Sequence, residues 1–309
     1  MDRALEILKT FDEQSLPDLD VAVMGALELF ATTKLPVLNT GRFRRPLVLG
    51  SGNALVAAQA IFAGHNAIFA DESNYESAVF AGGIDGAYIF SASGSKHAIT
   101  FAKALDQKGV PTVLVTNERR SPAELAVESV MPLVFPKNRE PYTYNTSTYM
   151  GMFLAASGED PTTIKSFIEN TVSVAVPPDI GNYGAYYLMV PEHVSSISTM
   201  FVTKFDELFG SKVVGRVFSY EQTKHAKTVV PNDDELFISF GFENQDFGSN
   251  RLTIPLPDDA EFATMMAVGY YVIGQIQKQK PPYFKEHIGP YMAEASRLFN
   301  QELNIIVEA

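Results

Sequence analysis

The sequence predicts an α/β protein built from two three-layer αβα domains with parallel sheets, preceded by N-terminal helices. From residue 46 onward, short apolar runs alternate with segments that place apolar residues at helical spacing. The short runs are continuously apolar, as in strands buried on both faces of a parallel sheet. We expect the N-terminal helices in residues 1–33, the first domain in 34–173 and the second in 174–309.

The first domain contains the more regular alternation. Residues 4–11 and 21–30 precede it and have helical periodicity. Strands are predicted at residues 46–50, 67–70, 86–91, 111–117 and 130–135. Helices are predicted at residues 53–64, 95–109, 121–129, 144–160 and 161–172.

The second domain follows a segment, residues 174–187, that is rich in proline and glycine and interrupts the periodicity. We interpret this segment as the domain boundary. Helices are predicted at 191–209, 219–230, 259–278 and 284–303, and strands at 212–218, 235–241 and 251–257. The two domains form a weak two-fold repeat of α/β units.

The amino-acid composition argues against several classes of function. The 309 residues include 24 Lys+Arg and 36 Asp+Glu, a net charge of −12, which argues against a nucleic-acid surface or a polybasic membrane surface. The sequence has no cysteine, which excludes disulfides, thiolate nucleophiles and cysteine metal sites. No apolar run approaches the ~20 residues of a membrane helix, and the start has no apolar leader segment. We therefore expect a cytoplasmic protein that binds neither membrane nor nucleic acid.

Two strand–loop–helix junctions, residues 47–58 and 88–100, carry small residues where a buried strand turns into a helix. Such loops lie at the carboxyl edge of a parallel sheet, where open α/β folds bind ligands. A helix N-terminus favours an anion, and Ser91, Ser93, Ser95 and Lys96 add hydroxyl donors and a positive charge. The alternative is a tight turn with Ser95 as the helix cap. Neither loop has a nucleotide-binding fingerprint.

The ordered motifs GSG at 50–52, SASGS at 91–95, VLVTN at 113–117 and SPAELAVESV at 121–130 resemble a SIS (sugar isomerase) domain. The segment REPYTYNTSTYMGMFLA at 139–155 continues the resemblance, and VVGRVFSYEQTKHAKTV at 213–229 is similar to the second domain of two-SIS-domain proteins. These proteins include phosphoglucose/phosphomannose isomerases and the isomerase half of glucosamine-6-phosphate synthase. The resemblance implies flavodoxin-like domains, a sugar-phosphate ligand, no cofactor and a homodimer that completes its site across subunits.

The resemblance also implies roles for individual residues. Ser95 and Lys96 replace the acidic or Asn residue and the Thr that are usual in the phosphate loop, and lysine is itself a compact phosphate partner. Glu140 falls on the Glu…Ser-Thr segment near the substrate. The implied ligand-binding residues are Ser51, Gly52, Asn53, Ser91, Ser93, Gly94, Ser95, Lys96, Ser147 and Thr148.

The family's catalytic positions differ here. A gapless alignment places Thr228 where the family has its proton-transfer Glu, and Asn244 where it has its ring-opening His. Glu221 and His225, four residues apart on one predicted helix face, could form a displaced acid/base pair, with Glu140 as the reserve carboxylate. The alternative is an ordinary solvated helix face. The spacing of the histidines predicts no metal site.

Three functions remain open from the sequence. The first is an aldose–ketose isomerase of a hexose or amino-hexose phosphate. The second is a non-catalytic sugar-phosphate-binding regulator, and the third is a sugar-phosphate deglycase on the same scaffold. They differ in whether a carboxylate reaches the sugar's C1 and C2 atoms.

Overall fold

The computed structural model describes residues 4–280 and 283–309, which belong to two compact units. The five-stranded unit contains residues 33–137 and 148–158. The four-stranded unit combines the N-terminal residues through Thr32 with residues 138–147 and 159–309. Both units are therefore discontinuous in sequence, whereas the domain division at residues 33 and 173 follows the order of the chain and stays a prediction.

The secondary structure alternates between helices and strands along most of the chain. The helices are α1 Ala4–Thr10, α2 Leu19–Thr32, α3 Asn53–Ile61, α4 Tyr75–Phe80, α5 His97–Gln107, α6 Pro122–Ala126, α7 Thr146–Ser157, α8 Pro161–Phe167, α9 Ser173–Ala175, α10 Ser198–Phe209, α11 Tyr220–His225, α12 Phe262–Gln279, α13 Tyr283–Glu286 and α14 Ile288–Phe299. The strands are β1 Pro46–Gly50, β2 Ile68–Ala70, β3 Gly86–Phe90, β4 Thr112–Thr116, β5 Met131–Val134, β6 Glu140–Pro141, β7 Ala185–Val190, β8 Val214–Ser219, β9 Glu235–Phe240, β10 Asn250–Ile254 and β11 Ile306–Val307.

The five-stranded sheet is parallel throughout, with the order β2-β1-β3-β4-β5. Helices cover both of its faces. On one face, Phe62 at the end of α3 packs on Tyr88, with ring centroids 4.8 Å apart. On the other, Phe101 of α5 joins the buried core with Leu49 and Ile89. This burial on both faces explains why the strands read as continuous apolar runs.

The four-stranded sheet is also parallel, with the order β10-β9-β7-β8. β8 lies on one side of β7. β9, followed by β10, lies on the other side of β7. The five-stranded sheet has the same arrangement in its first four strands, with β2 on one side of β1 and β3, followed by β4, on the other. The predicted α/β fold with parallel sheets is confirmed, and the two sheets share one topology.

β7, the second sheet's first strand in chain order, begins within residues 174–187, where the proline and glycine content predicts a boundary loop instead. The strand begins at Ala185, directly after the proline- and glycine-rich stretch, and its residues Tyr186–Val190 are buried. Proline and glycine correctly marked a break in helical periodicity. They did not show that a strand begins within the same stretch.

Several predicted helices are longer than the helices in the structure, and two of them show the reason. The helix expected at 219–230 ends at His225, and Lys227 has a left-handed φ of 49°. The helix expected at 284–303 is split into α13 and α14, and α14 ends at Phe299 because the next residue, Asn300, is in the left-handed conformation. The antiparallel pair of β6 and β11 was not predicted, since two-residue strands leave no periodic signal. Within the described chain, no helix is both long enough and apolar enough to cross a membrane.

Candidate functional site

The two loops singled out in the sequence follow adjacent strands, β1 and β3, of the five-stranded sheet. Gly50, the last residue of β1, lies opposite Phe90, the last residue of β3, so the two loops begin at the same level. The chain continues from β1 to β2 on one side and from β3 to β4 on the other. This is the topological switch point, where open α/β sheets form a crevice at their carboxyl edge.

The first loop turns sharply from β1 into α3. A Cβ atom on Gly50 would lie 2.8 Å from the backbone nitrogen of Leu55, so only glycine allows this approach of strand and helix. Ser51 follows, and its hydroxyl oxygen is buried with no hydrogen-bond partner among the described residues. Gly52 is exposed, and Asn53 is the first residue of α3.

The second loop, residues 91–96, is held against the loop that follows β4. A Cβ atom on Gly94, whose φ is +58°, would lie 2.5 Å from the Ser121 hydroxyl oxygen. The Gly94 carbonyl accepts a hydrogen bond from the Ala123 amide at 2.8 Å. Glycine is therefore required here both by its conformation and by the available space.

The polar groups of this loop suit an anion. The hydroxyls of Ser93 and Ser95 are hydrogen-bonded to each other at 2.6 Å, and Ser91 is half-buried at the end of β3. Lys96 stands immediately before α5 in a positive-φ conformation, 51°, which is strained for a residue with a side chain. Desolvation lowers the pKa of the Lys96 amine. Its charge, the hydroxyls and the N-terminus of the eleven-residue helix α5 all favour a negative group.

Two residues at this edge were missed as candidates by the sequence analysis. Asn117 and Ser121 follow β4 and are 7% and 0% exposed, respectively. The Asn117 side-chain oxygen and the Ser121 hydroxyl have no hydrogen-bond partner in the described part of the chain. Buried polar atoms are nearly always paired, so these two and Ser51 require a ligand or ordered water. The sequence feature that could have identified Asn117 and Ser121 is their position just after β4, a strand of the same sheet.

Glu140, predicted as the reserve carboxylate, lies in the four-stranded unit and caps the first residues of α7. Its side chain is 3% exposed, and its two oxygens accept hydrogen bonds from the amides of Thr146 and Ser147, both at 2.7 Å. Burial raises the pKa of Glu140, while these hydrogen bonds and the Lys204 ammonium oppose the rise. The Ser147 hydroxyl accepts a hydrogen bond from the Asn138 amide. Thr148 is buried in the next position and belongs to the five-stranded unit.

Glu221 and His225 lie on the six-residue helix α11 of the four-stranded unit. Both side chains are exposed, Glu221 at 53%. The Glu221 carboxylate accepts a hydrogen bond from the Lys224 ammonium at 2.9 Å, and this pair raises the pKa of Lys224. This arrangement is typical of a solvated helix face, the alternative to an acid/base pair for these two residues.

Thr228 and Asn244, which the gapless alignment matches to the catalytic pair of SIS proteins, make local contacts. The hydroxyl of Thr228 lies 3.4 Å from that of Tyr187. Asn244 is buried, where its side-chain oxygen accepts a hydrogen bond from the Phe247 amide and its amide group donates to the Phe247 carbonyl. Within residues 4–280 and 283–309, no three histidine, aspartate or glutamate side chains are grouped closely enough to hold a metal ion.

Comparisons with known proteins identify the fold. No family model matches the sequence, and no curated protein matches it. Solved structures do match. A glucosamine-6-phosphate deaminase from Thermotoga maritima has a TM-score of 0.60 and 15% identity, over 90% of this chain and 95% of that one.

Two further structures match over most of their length. A tagatose-6-phosphate ketose/aldose isomerase from Escherichia coli has a TM-score of 0.57 and 11% identity, over 80% of this chain and 84% of that one. The C-terminal domain of glucosamine-fructose-6-phosphate aminotransferase from Francisella tularensis has a TM-score of 0.56 and 9% identity, over 91% and 96%. The chain shares their fold. At these identities the likeness extends to the fold and no further.

Proposed function

We propose that the carboxyl edge of the five-stranded sheet binds a sugar phosphate and that the chain is an aldose–ketose isomerase of a hexose or amino-hexose phosphate. One observation carries the binding proposal. The loops after β1 and β3 meet at the switch point, beside buried oxygens of Ser51, Asn117 and Ser121 that have no partner among the described residues. Sugar hydroxyls would supply the hydrogen bonds that these oxygens lack.

The phosphate is assigned to the second loop. The hydroxyls of Ser91, Ser93 and Ser95, the Lys96 ammonium and the N-terminus of α5 provide donors and positive charge in one short segment. Ser51, Gly52 and Asn53 are assigned to the sugar. Two of the solved structures that share the fold are described as acting on glucosamine 6-phosphate and tagatose 6-phosphate, which supports this ligand class.

The isomerase chemistry requires a carboxylate that moves a proton between C1 and C2 and an acid/base that opens the sugar ring. Glu221 is our candidate for the first role and His225 for the second, since they are one helical turn apart on α11. Glu140 is a weaker candidate because both of its oxygens already accept backbone hydrogen bonds. The reaction needs no cofactor.

The second candidate function is a non-catalytic sugar-phosphate-binding regulator. It is favoured by the exposed, ion-paired state of Glu221 and by the structural roles of Thr228 and Asn244 at the family's catalytic positions. This candidate shares the binding site of the first. The two functions differ only in proton exchange on the bound sugar.

Binding is tested by replacing Ser93 and Lys96 together with alanine. Removing a hydroxyl donor and the positive charge is expected to weaken fructose 6-phosphate binding by more than tenfold, about 1.4 kcal/mol. Titration calorimetry measures the change. The double variant Ser77→Ala/Lys103→Ala, which changes exposed residues of the same unit, is the matched control. If the Ser93/Lys96 variant binds fructose 6-phosphate as tightly as the native protein does, the loop is a turn without a role in phosphate binding.

The resemblance to two-SIS-domain proteins also leads us to propose a homodimer. We expect light scattering at micromolar concentration to give twice the chain mass of 33.9 kDa. A monomeric mass would contradict the dimer. It would also weaken the isomerase proposal, because the resemblance implies a site completed across subunits.

A further inference from the structure

The four-stranded sheet has a cleft of its own at its carboxyl edge. It has a volume of about 440 Å³ and is lined by Val190, Pro191, Glu192, Tyr220 and Phe242. These residues end or follow β7, β8 and β9. Since the two sheets share one topology, the cleft occupies the switch point that corresponds to the proposed phosphate site in the other sheet.

The walls of the cleft are aromatic and fixed in place. The ring of Tyr220 packs edge-on against those of Phe242 and Phe247, at 6.2 and 5.6 Å between centroids. The loop that carries Phe242 is held by the Asn244 side chain. It is held also by Arg251, which donates hydrogen bonds to the Phe247 and Gly248 carbonyls. The cleft is therefore preformed, with apolar ring surfaces available to a ligand.

The charges around the cleft are mostly negative. The Glu192 carboxylate lines it, accepts a hydrogen bond from the Glu221 amide and forms no ion pair with any residue that the structure describes. The Tyr220 hydroxyl donates a hydrogen bond to the Asp246 carboxylate. Lys224 is paired with Glu221, and its ammonium lies 5.6 Å from the centre of the Tyr220 ring. This surface favours a negatively charged ligand less than the serine- and lysine-bearing edge of the other sheet does.

We propose that this cleft is a second ligand site, for a small organic cation that carries an ammonium group on an apolar chain. The ammonium group pairs with the Glu192 carboxylate. The apolar chain packs on the rings of Tyr220 and Phe242, and the face of Phe242 also attracts a cation. The cleft lies in the four-stranded unit beside α11, the helix that also carries Glu221.

The test uses the full-length protein and three probes of similar size: butylammonium, butyrate and 1-butanol. Saturation-transfer NMR is expected to detect butylammonium in preference to the other two, and added salt should weaken its binding because the attraction is partly electrostatic. Equal binding of butyrate would overturn the proposal, as would the absence of any butylammonium signal.

Two substitutions locate the probe. Glu192→Gln removes the charge but keeps the oxygen that accepts the Glu221 amide, and it should weaken butylammonium binding about tenfold. Phe242→Leu keeps an apolar side chain without the ring and should weaken binding several-fold. Glu128→Gln, an exposed carboxylate of the other unit, is the control. Unchanged affinity in Glu192→Gln would overturn the proposal. Fructose 6-phosphate titration of the same variants measures whether sugar-phosphate binding is also changed.

Discussion

Replacing Glu140 with alanine is expected to lower the free energy of unfolding by about 3–4 kcal/mol. The carboxylate is 3% exposed and accepts the amides of Thr146 and Ser147, each at 2.7 Å. Alanine would leave both donors unpaired at the N-terminus of α7, where a negative charge is also favoured by the helix dipole. Urea unfolding, compared through the midpoint at a constant slope, measures the change.

Two further variants make this result specific. Glu140→Gln keeps one acceptor oxygen and should cost about half as much as alanine. Glu302→Ala removes an exposed glutamate of the same unit and should leave stability within ~0.5 kcal/mol of the native protein. A stable Glu140→Ala protein would contradict the capping role. A Glu140→Gln protein of native stability but without catalysis would instead indicate a catalytic carboxylate.

The local sequence was sufficient to predict the first sheet and its loops. β1 was predicted at 46–50, where the structure has it, because the run PLVLG is apolar and ends in a glycine. The positions of the loops at 51–53 and 91–96 followed from the same strand–loop–helix pattern. Such features depend on residues close together in the chain, and periodicity reports them directly.

Features that depend on tertiary contacts could not be predicted. Nothing local to Gly94 indicates that Ser121, twenty-seven positions later, lies against it. The buried, unpaired oxygens of Asn117 and Ser121 exist only because β4 lies beside β3. The same holds for the aromatic cleft of the second sheet, whose first strand, β7, was itself missed.

The structure also changes the expectation for the candidate catalytic residues. Helical spacing placed Glu221 and His225 on one face of a helix, which the structure retains. Spacing did not show that the face is exposed or that Lys224 pairs with Glu221. In the same way, the residue type of Glu140 did not indicate that its carboxylate is buried at a helix N-terminus. That burial results from the folding of residues 138–147.

The largest effect on function is expected for Glu221→Gln. An isomerase must exchange the C1 or C2 proton of its sugar phosphate with solvent, because the proton passes through a carboxylate during enediol formation. On our proposal, the native protein in heavy water incorporates deuterium into fructose 6-phosphate. The amide of glutamine cannot accept the proton, so the exchange rate should fall by roughly 10²–10⁴-fold while sugar-phosphate affinity is retained.

Glu243→Gln is the matched control, since it removes another exposed carboxylate of the four-stranded unit and should leave exchange unchanged. Full deuterium exchange in the Glu221→Gln protein would show that another residue is the base. The same measurement on the Glu140→Gln protein would then test the reserve carboxylate. Tight binding without exchange in the native protein, for hexose and amino-hexose phosphates alike, would contradict the isomerase and favour the regulator. That outcome would fit Thr228 and Asn244, which make local hydrogen bonds at the positions that the resemblance to SIS proteins implies are catalytic.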